Sequence, residues 1–376
     1  MILTRDTVKS HAEQAGSLAV DSDSEILRLL PEWFPQEAVL LAWPDQQTDW
    51  RDCLGEVQQV YLALIRAINT NNCAVVLLLR NQEKAAFRQL AEKAGGITSV
   101  LLVEADYNDT WVRDYGVLSL QGEQSPVAFE FAFNGWGNKF ISNKDNAVNQ
   151  SALSALLRSP IRSSPAVCEG GALEVDDDGH LLSTAKCLLN PERNGRLSLE
   201  GYRQLFINTL GVSSVTFLEH GYLDGDDTDG HIDTLARFTP NRGIVYQGSS
   251  NRPDDDHCYT LQTMAQELVA AFPEHTLFEL PLSLLTNAEG RRVPASYANF
   301  LINNDQIMMP VYREPEDEEA LSVMAQAYPG YRIVPVDCRI LPMQAGSLHC
   351  ITMQIPKGML RADIIGKAGQ GIIETG

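Results

Sequence analysis

Short unbroken apolar runs alternate along the chain with longer stretches whose apolar positions recur every three or four residues. Residues 38–43 (AVLLAW), 73–79 (CAVVLLL), 98–103 (TSVLLV) and 243–247 (GIVYQ) are short, aliphatic or β-branched, a pattern that predicts buried strands. Residues 56–69 (EVQQVYLALIRAIN) place Val57, Val60, Tyr61, Leu64, Ile65 and Ile68 at the spacing of one helix face. Residues 259–272 and 318–328 read as helices by the same test, and the acidic run 314–319 as a solvated helix start. Strands alternating with helices predict an α/β fold. There is no Pro/Ser/Gly linker and no low-complexity tract, so a single domain is expected over residues 29–376. Residues 1–28 are expected to be a leader or a peripheral helix. No short-period repeat is visible, although a repeat of roughly 70 residues carried by structure alone would escape inspection.

Composition narrows the function classes. The chain has 376 residues, enough to bury a substantial core without disulfide staples. Its net charge of −20, from 49 acidic and 29 basic side chains, repels phosphate backbones and anionic lipid and suits a small cationic partner. Neither nucleic acid nor membrane is expected to bind. The seven cysteines form no CxxC pair, which argues against a zinc ribbon or a dithiol redox motif and suits reduced thiols. Residues 1–30 lack the apolar stretch of a signal peptide, and no run of about 18 apolar residues occurs, so a cytoplasmic protein is expected. GxxxxGK[ST], GxGxxG and HExxH are all absent, which removes the main sequence support for nucleotide kinases, dinucleotide oxidoreductases and zincin proteases.

Four segments carry residues that a core does not need: NDTWVRDYG (108–116), EGG (169–171), DGDDTDGHID (224–233) and GSLHCITMQIP (346–356). Cys350 is either a structural thiol or a nucleophile awaiting a base from elsewhere in the chain. Its neighbour His349 would face away from it on the strand expected at 350–355. In GHID, strand alternation would put His231 and Asp233 on one face and Ile232 in the core. The aspartates before it do not match a calcium loop, but a mononuclear metal site of Asp229, His231 and Asp233 stays open. Trp111 and Asp114 combine an aromatic face with a carboxylate, a pair suited to a planar cation, though Asp114 and Arg113 also suit a simple ion pair. Glu169 stands where two glycines allow close backbone approach, and Cys168 beside it reads as core.

Seven motifs in order resemble the agmatine deiminase and bacterial-type peptidyl-arginine deiminase family. They are LLPEWFPQEAVLLAWP (29–44), WVRDYG (111–116), FNGWGNKF (133–140), EGG (169–171), DDTDGHIDTLARF (226–238), PASYANFLI (294–302) and HCITMQIP (349–356). The resemblance implies a five-bladed α/β propeller with pseudo-fivefold symmetry and a central active site. It implies Cys350 as nucleophile and His231 as general acid and base. Asp114 and Asp233 would hold the guanidinium, with Glu169 supporting the site and Trp111, Asp227 and Asp229 in contact with substrate. The expected reaction takes agmatine to N-carbamoylputrescine and ammonia through a thiouronium on Cys350, with no metal or organic cofactor. Peptidyl-arginine, another guanidino compound or an amidinotransferase reaction are the related alternatives. A metal-dependent hydrolase centred on Asp229, His231 and Asp233 is the alternative of another class. Asp226, Asp227 and Asp229 are candidates for the far amine or for capping a turn, and a homodimer is left open. The chain departs from the family at Gln344-Ala345-Gly346-Ser347 and at Thr234, positions that bear on the pocket lining.

Overall fold

The computed structural model describes residues 27–375, so the leader expected at 1–28 lies almost wholly outside the described residues. The architecture is mixed α/β, with the strands distributed over five sheets. Each sheet contains one repeated unit: two antiparallel strands, a helical crossover, and a third strand parallel to the second. In one unit Ala236–Thr239 pairs with Gly243–Gln247, the helix Cys258–Ala271 follows, and Thr276–Leu280 adds in parallel. A parallel pairing needs such a crossover, because no tight turn can return the chain to the same end of a sheet.

The largest sheet joins the two ends of the described chain. Met353–Pro356 runs antiparallel to Gln36–Ala42, which is followed by parallel Ala74–Leu79, Ser99–Glu104 and the late strand Gly371–Glu374. Every residue of Ala74–Leu79 is buried, as its unbroken apolar run requires. The helix Leu54–Thr70 covers this sheet with Val57, Val60, Tyr61, Leu64, Ile65 and Ile68, the face read from spacing. The expected strands and helices occur within a residue or two of their predicted bounds.

Two local expectations are corrected. Strand structure begins at Met353, so Cys350 lies in a turn closed by Thr352, whose N–H and hydroxyl both donate to the His349 carbonyl. The GHID segment is likewise not a strand: His231 caps a single 3-10 turn, Ile232–Thr234, held by Leu235 N–H donating to the Ile232 carbonyl. Ile232 is nevertheless in the core, as expected.

The first strands of the five units begin at Leu118, Glu174, Ala236, Leu301 and Met353. Asp114, Glu169, His231 with Asp233, Asn299 and Cys350 each lie in the segment just before one of them. One topological position, repeated five times, therefore holds the candidate site residues.

Arg237, fully buried, ties these segments together. Its Nε donates to Glu174 Oε2 at 2.7 Å, one Nη to Glu32 Oε2 at 2.7 Å and the other to the Phe300 carbonyl at 2.9 Å. Glu32 also accepts from Ile302 N–H at 2.7 Å and His349 Nε2 at 2.6 Å. Removing one partner of a buried ion pair strands the other charges, at a cost of about 3–5 kcal/mol. Arg237→Leu should lower the urea unfolding midpoint accordingly; a midpoint within error of the parent would show that the network does not hold the units together.

Candidate functional site

Cys350, Asp114, Trp111 and Asp227 line one cavity together with Asp49, Asp109, Trp136, Phe140, Thr228, Gln344, Ala345 and Gly346. Its floor is built from the segments that precede the first strands. Cys350 Sγ lies 3.4 Å from Asn299 Oδ1 and 3.8 Å from Asp233 Oδ2. Asn299 Oδ1 also accepts the backbone N–H groups of His349 and Cys350, which fixes the turn carrying the thiol. Burial first, then the charges of Asp233 and Asp114, push the Cys350 thiol well above its ordinary range, so the free protein carries a thiol.

The carboxylates are individually anchored. Asp114 Oδ2 accepts from Trp136 Nε1 at 2.8 Å and Oδ1 from Gly171 N–H at 3.1 Å. Burial raises its pKa to about 6 despite the nearby His231 cation. Asp233 Oδ2 accepts from His349 Nδ1 at 2.7 Å, while its buried Oδ1 has no hydrogen-bond partner among the described residues. Burial opposes ionisation of Asp233, but His349 and His231 outweigh it and hold the carboxyl below its ordinary pKa. Glu169 is fully buried, with both oxygens 2.9 Å from Arg193 Nε.

His231 is fully buried, 3.5 Å from Asp114 through Nδ1 and 3.9 Å from Glu169 through Nε2, and neither ring nitrogen has an aligned hydrogen bond among the described residues. Burial disfavours its charge, but Asp114, Cys187 and Glu169 overcome that and push its pKa well above the ordinary value. Gly171 is required here by close approach: a Cβ on it would sit 2.6 Å from His231 Nδ1 and 2.7 Å from Asp114 Oδ1. Gly346 makes room in the same way for the Trp111 ring, 2.4 Å from a Cβ placed there.

The structure thus brings Cys350, Asp114, Asp233, His231 and Glu169 into one place, with Trp111 and Asp227 on the cavity wall. Asp229 is not on that wall. Its carboxylate is met by Arg193 and Lys139, each at 2.8 Å, and by Asn190. Asp226 caps the turn instead, accepting from Thr228 and from Gly230 N–H. Asp229, His231 and Asp233 do not form a donor cluster; among the described residues His231 groups with Glu169 and Cys187. His349 does not turn away from Cys350, because both lie against Asp233 Oδ2, which the turn geometry allows and a strand would not.

Sequence reading passed over Glu32, Asn299, Trp136, Asp109, Arg193 and Asp49. The first four lie inside the motifs and segments singled out for their chemistry, and that membership was the available signal. Arg193 and Asp49 lie outside them and reach the site through long-range packing alone. The departures at 344–346 do line the cavity, while Thr234 donates its hydroxyl to the His231 carbonyl.

Comparison with known proteins identifies the family and the fold. Residues 28–356 match the model of the Porphyromonas-type peptidyl-arginine deiminase family. A Yersinia pseudotuberculosis protein named "Putative agmatine deiminase" is 31% identical over 350 residues, covering 86% of this chain and 94% of its own. A C. jejuni agmatine deiminase, a cysteine-to-serine variant with substrate bound, superposes with TM-score 0.82 at 31% identity, over 91% of this chain and 99% of its own. A Porphyromonas gingivalis structure described as a "Putative Arginine Deiminase" gives TM-score 0.80 at 40% identity, over 89% and 99% of the two chains.

Because the thiol pKa is raised, alkylation of the Cys350 peptide by iodoacetamide should be slow at pH 7 and still accelerating above pH 9, as followed by peptide mass spectrometry. A rate already level from pH 6 upward would mean that the thiolate is preformed.

Proposed function

We propose, for a chain that belongs to the Porphyromonas-type peptidyl-arginine deiminase family, that it hydrolyses agmatine to N-carbamoylputrescine and ammonia with Cys350 as nucleophile. One observation carries this reading: a thiol flanked by the Asp114 and Asp233 carboxylates at the floor of a cavity walled by aspartates and tryptophans. In a desolvated site that arrangement calls for a cation with N–H groups on both sides, which a guanidinium supplies.

Asp114 and Asp233 would accept the guanidinium N–H groups, and the free Oδ1 of Asp233 is an acceptor in want of a donor. The arriving positive charge offsets the two carboxylates that raise the Cys350 pKa, so substrate itself promotes loss of the thiol proton to solvent. Sγ attacks the guanidinium carbon, and His231, an imidazolium held by Asp114 and Glu169, gives its proton to the departing nitrogen. Ammonia leaves a thiouronium on Cys350. The now neutral His231 takes a proton from water, the hydroxide adds to the carbon, and the C–S bond breaks to give the urea-type product. Glu169 acts through His231, and Asn299 and His349 position Cys350 and Asp233. Asp229 orients Arg193 rather than touching substrate.

The far end of the cavity favours agmatine over arginine. Asp49, Asp109 and Asp227 line it, and no basic side chain does among the described residues. Lys139 is engaged by Asp229 and the Asp227 carbonyl. A terminal ammonium is attracted there, whereas an α-carboxylate would meet like charge with no cation to offset it. We infer further that the five repeated sheets are the blades of a pseudo-fivefold propeller around this cavity, and that residues 29–376 act as one catalytic unit. The seven free thiols support a reducing, cytoplasmic setting.

Ammonia release should follow agmatine far better than arginine or a blocked arginine peptide, without any amine acceptor, and fall at least about a thousandfold in Cys350→Ala. Equal turnover of Cys350→Ala would remove Cys350 from the mechanism; putrescine release and amidine transfer that need an amine acceptor, with no ammonia formed, would make the enzyme an amidinotransferase.

Burial raises the pKa of Asp227 to about 6 and that of Asp109 to about 7, so both become neutral acids as pH falls. KM for agmatine should therefore rise by roughly tenfold from pH 7.5 to 5.5. The rise should be smaller for butylguanidine, which has no far amine and whose binding over this range titrates with Asp114 alone. Parallel rises for the two compounds would take Asp109 and Asp227 out of amine recognition.

A further inference from the structure

The mechanism leaves four buried thiols unused, Cys73, Cys168, Cys187 and Cys338, and one of them stands beside His231. Cys187, on the short helix Ala185–Leu188, is fully buried behind the catalytic floor. Its Sγ, a His231 ring nitrogen and a Glu169 oxygen all lie within 4.8 Å of one another. A soft sulfur, an imidazole nitrogen and a carboxylate oxygen are a donor set for Zn2+ and its heavier relatives. An independent observation points the same way, since both ring nitrogens of the fully buried His231 lack an aligned hydrogen-bond partner among the described residues. The Nε2 that faces Glu169 can exchange its proton for a metal ion without breaking an aligned hydrogen bond.

Geometry and charge both permit capture. Zinc bonds of about 2.0–2.3 Å at tetrahedral angles put donors roughly 3.3–3.8 Å apart, so small side-chain rotations would close the set. His231 Nε2 and Glu169 Oε2 are already 3.9 Å apart. Arg193 bonds Glu169 through Nε but leaves each carboxylate oxygen a second lone pair. The surroundings already stabilise a cation at His231, with Asp114 3.5 Å from it. A divalent ion would displace two protons to solvent, one from the Cys187 thiol and one from the imidazolium, with no change of oxidation state. The fourth position would be open to water.

We propose that Cys187, His231 and Glu169 form a binding site for a thiophilic divalent cation such as Zn2+, and that occupancy halts the enzyme by withdrawing His231 from proton transfer. Binding follows from the donor set alone; inhibition rests on the role proposed above for His231.

Cadmium titration of the full chain tests the two parts separately. Wild type should take up one Cd2+ with a sulfur-to-cadmium ultraviolet absorption, a rise in Tm, and loss of ammonia release that a chelator reverses. Cys350→Ser should keep both the absorption and the Tm shift. Cys187→Ser, close in size, should lose both, bind Cd2+ at least about tenfold more weakly and keep whatever turnover it has when Cd2+ is added. The half-buried Cys53 and Cys258 are common to all three proteins, so any signal from them cancels in the comparison. An absorption lost in Cys350→Ser but kept in Cys187→Ser would place the ion on the nucleophile and overturn the proposal, as would no binding by wild type. Binding at Cys187 with undiminished turnover would refute the inhibitory step and the proton-transfer role of His231, while leaving the metal site standing.

Discussion

A guanidinium that no solvent reaches organises this protein. Arg237 meets the Glu32 and Glu174 carboxylates and the Phe300 carbonyl, and its Cζ lies 4.7 Å from the centre of the Phe300 ring. Through Glu32 the network continues to His349 and then to Asp233, beside the Cys350 thiol. Segments from the beginning, middle and end of the chain thus meet in one chain of charged contacts. In a low-dielectric interior each member depends on the next, since any one removed leaves the others unpaired. The position of Asp233, and with it the setting of the thiol, is inherited from an ion pair that never touches substrate.

The same desolvation governs the protonation states of the site. Burial keeps Cys350 a thiol and lifts Asp114 to about 6, while the surrounding carboxylates keep His231 a cation. The resting site is thus short of the positive charge that would ease thiolate formation, and a guanidinium supplies it. In the proposed mechanism, selectivity for a cation and activation of Cys350 would be one electrostatic event, and the raised thiol pKa would slow reaction with oxidants and alkylating agents while the site is empty. The tight packing has a second consequence. A site crowded with anions and holding an unaligned imidazole beside another thiol is poised to accept other cations, which is the basis of the metal site proposed at Cys187.

The five-fold recurrence of the ββαβ unit explains how so dispersed a set of residues converges. The chain arrives at the same end of each sheet before each first strand, and there the backbone turns sharply. Gly171 lets His231 and Asp114 approach, and Gly346 admits Trp111. A side chain larger than hydrogen at Gly171 would occupy the space that His231, Asp114 and Asp233 share.

How much of this was legible beforehand divides along a physical line. Apolar periodicity identified the strands at 74–79 and 243–247 and the helix over 54–70, because burial of a face is a local property with a local period. Motif chemistry singled out Cys350, His231, Asp114, Asp233 and Glu169, which the structure brings together, because glycines and charged groups in short apolar surroundings are costly unless used. Strand alternation failed for 231–233 and 349–350, where backbone hydrogen bonds close turns that periodicity does not encode. Whether Asp227 or Asp229 faces the cavity was also beyond reach, since Lys139 and Arg193 decide it from other segments. The sequence by itself determined which residue types were available for chemistry and which segments were buried. Only the tertiary structure decided which charges are paired and which are left free, because pairing is set by distances between segments far apart in the chain.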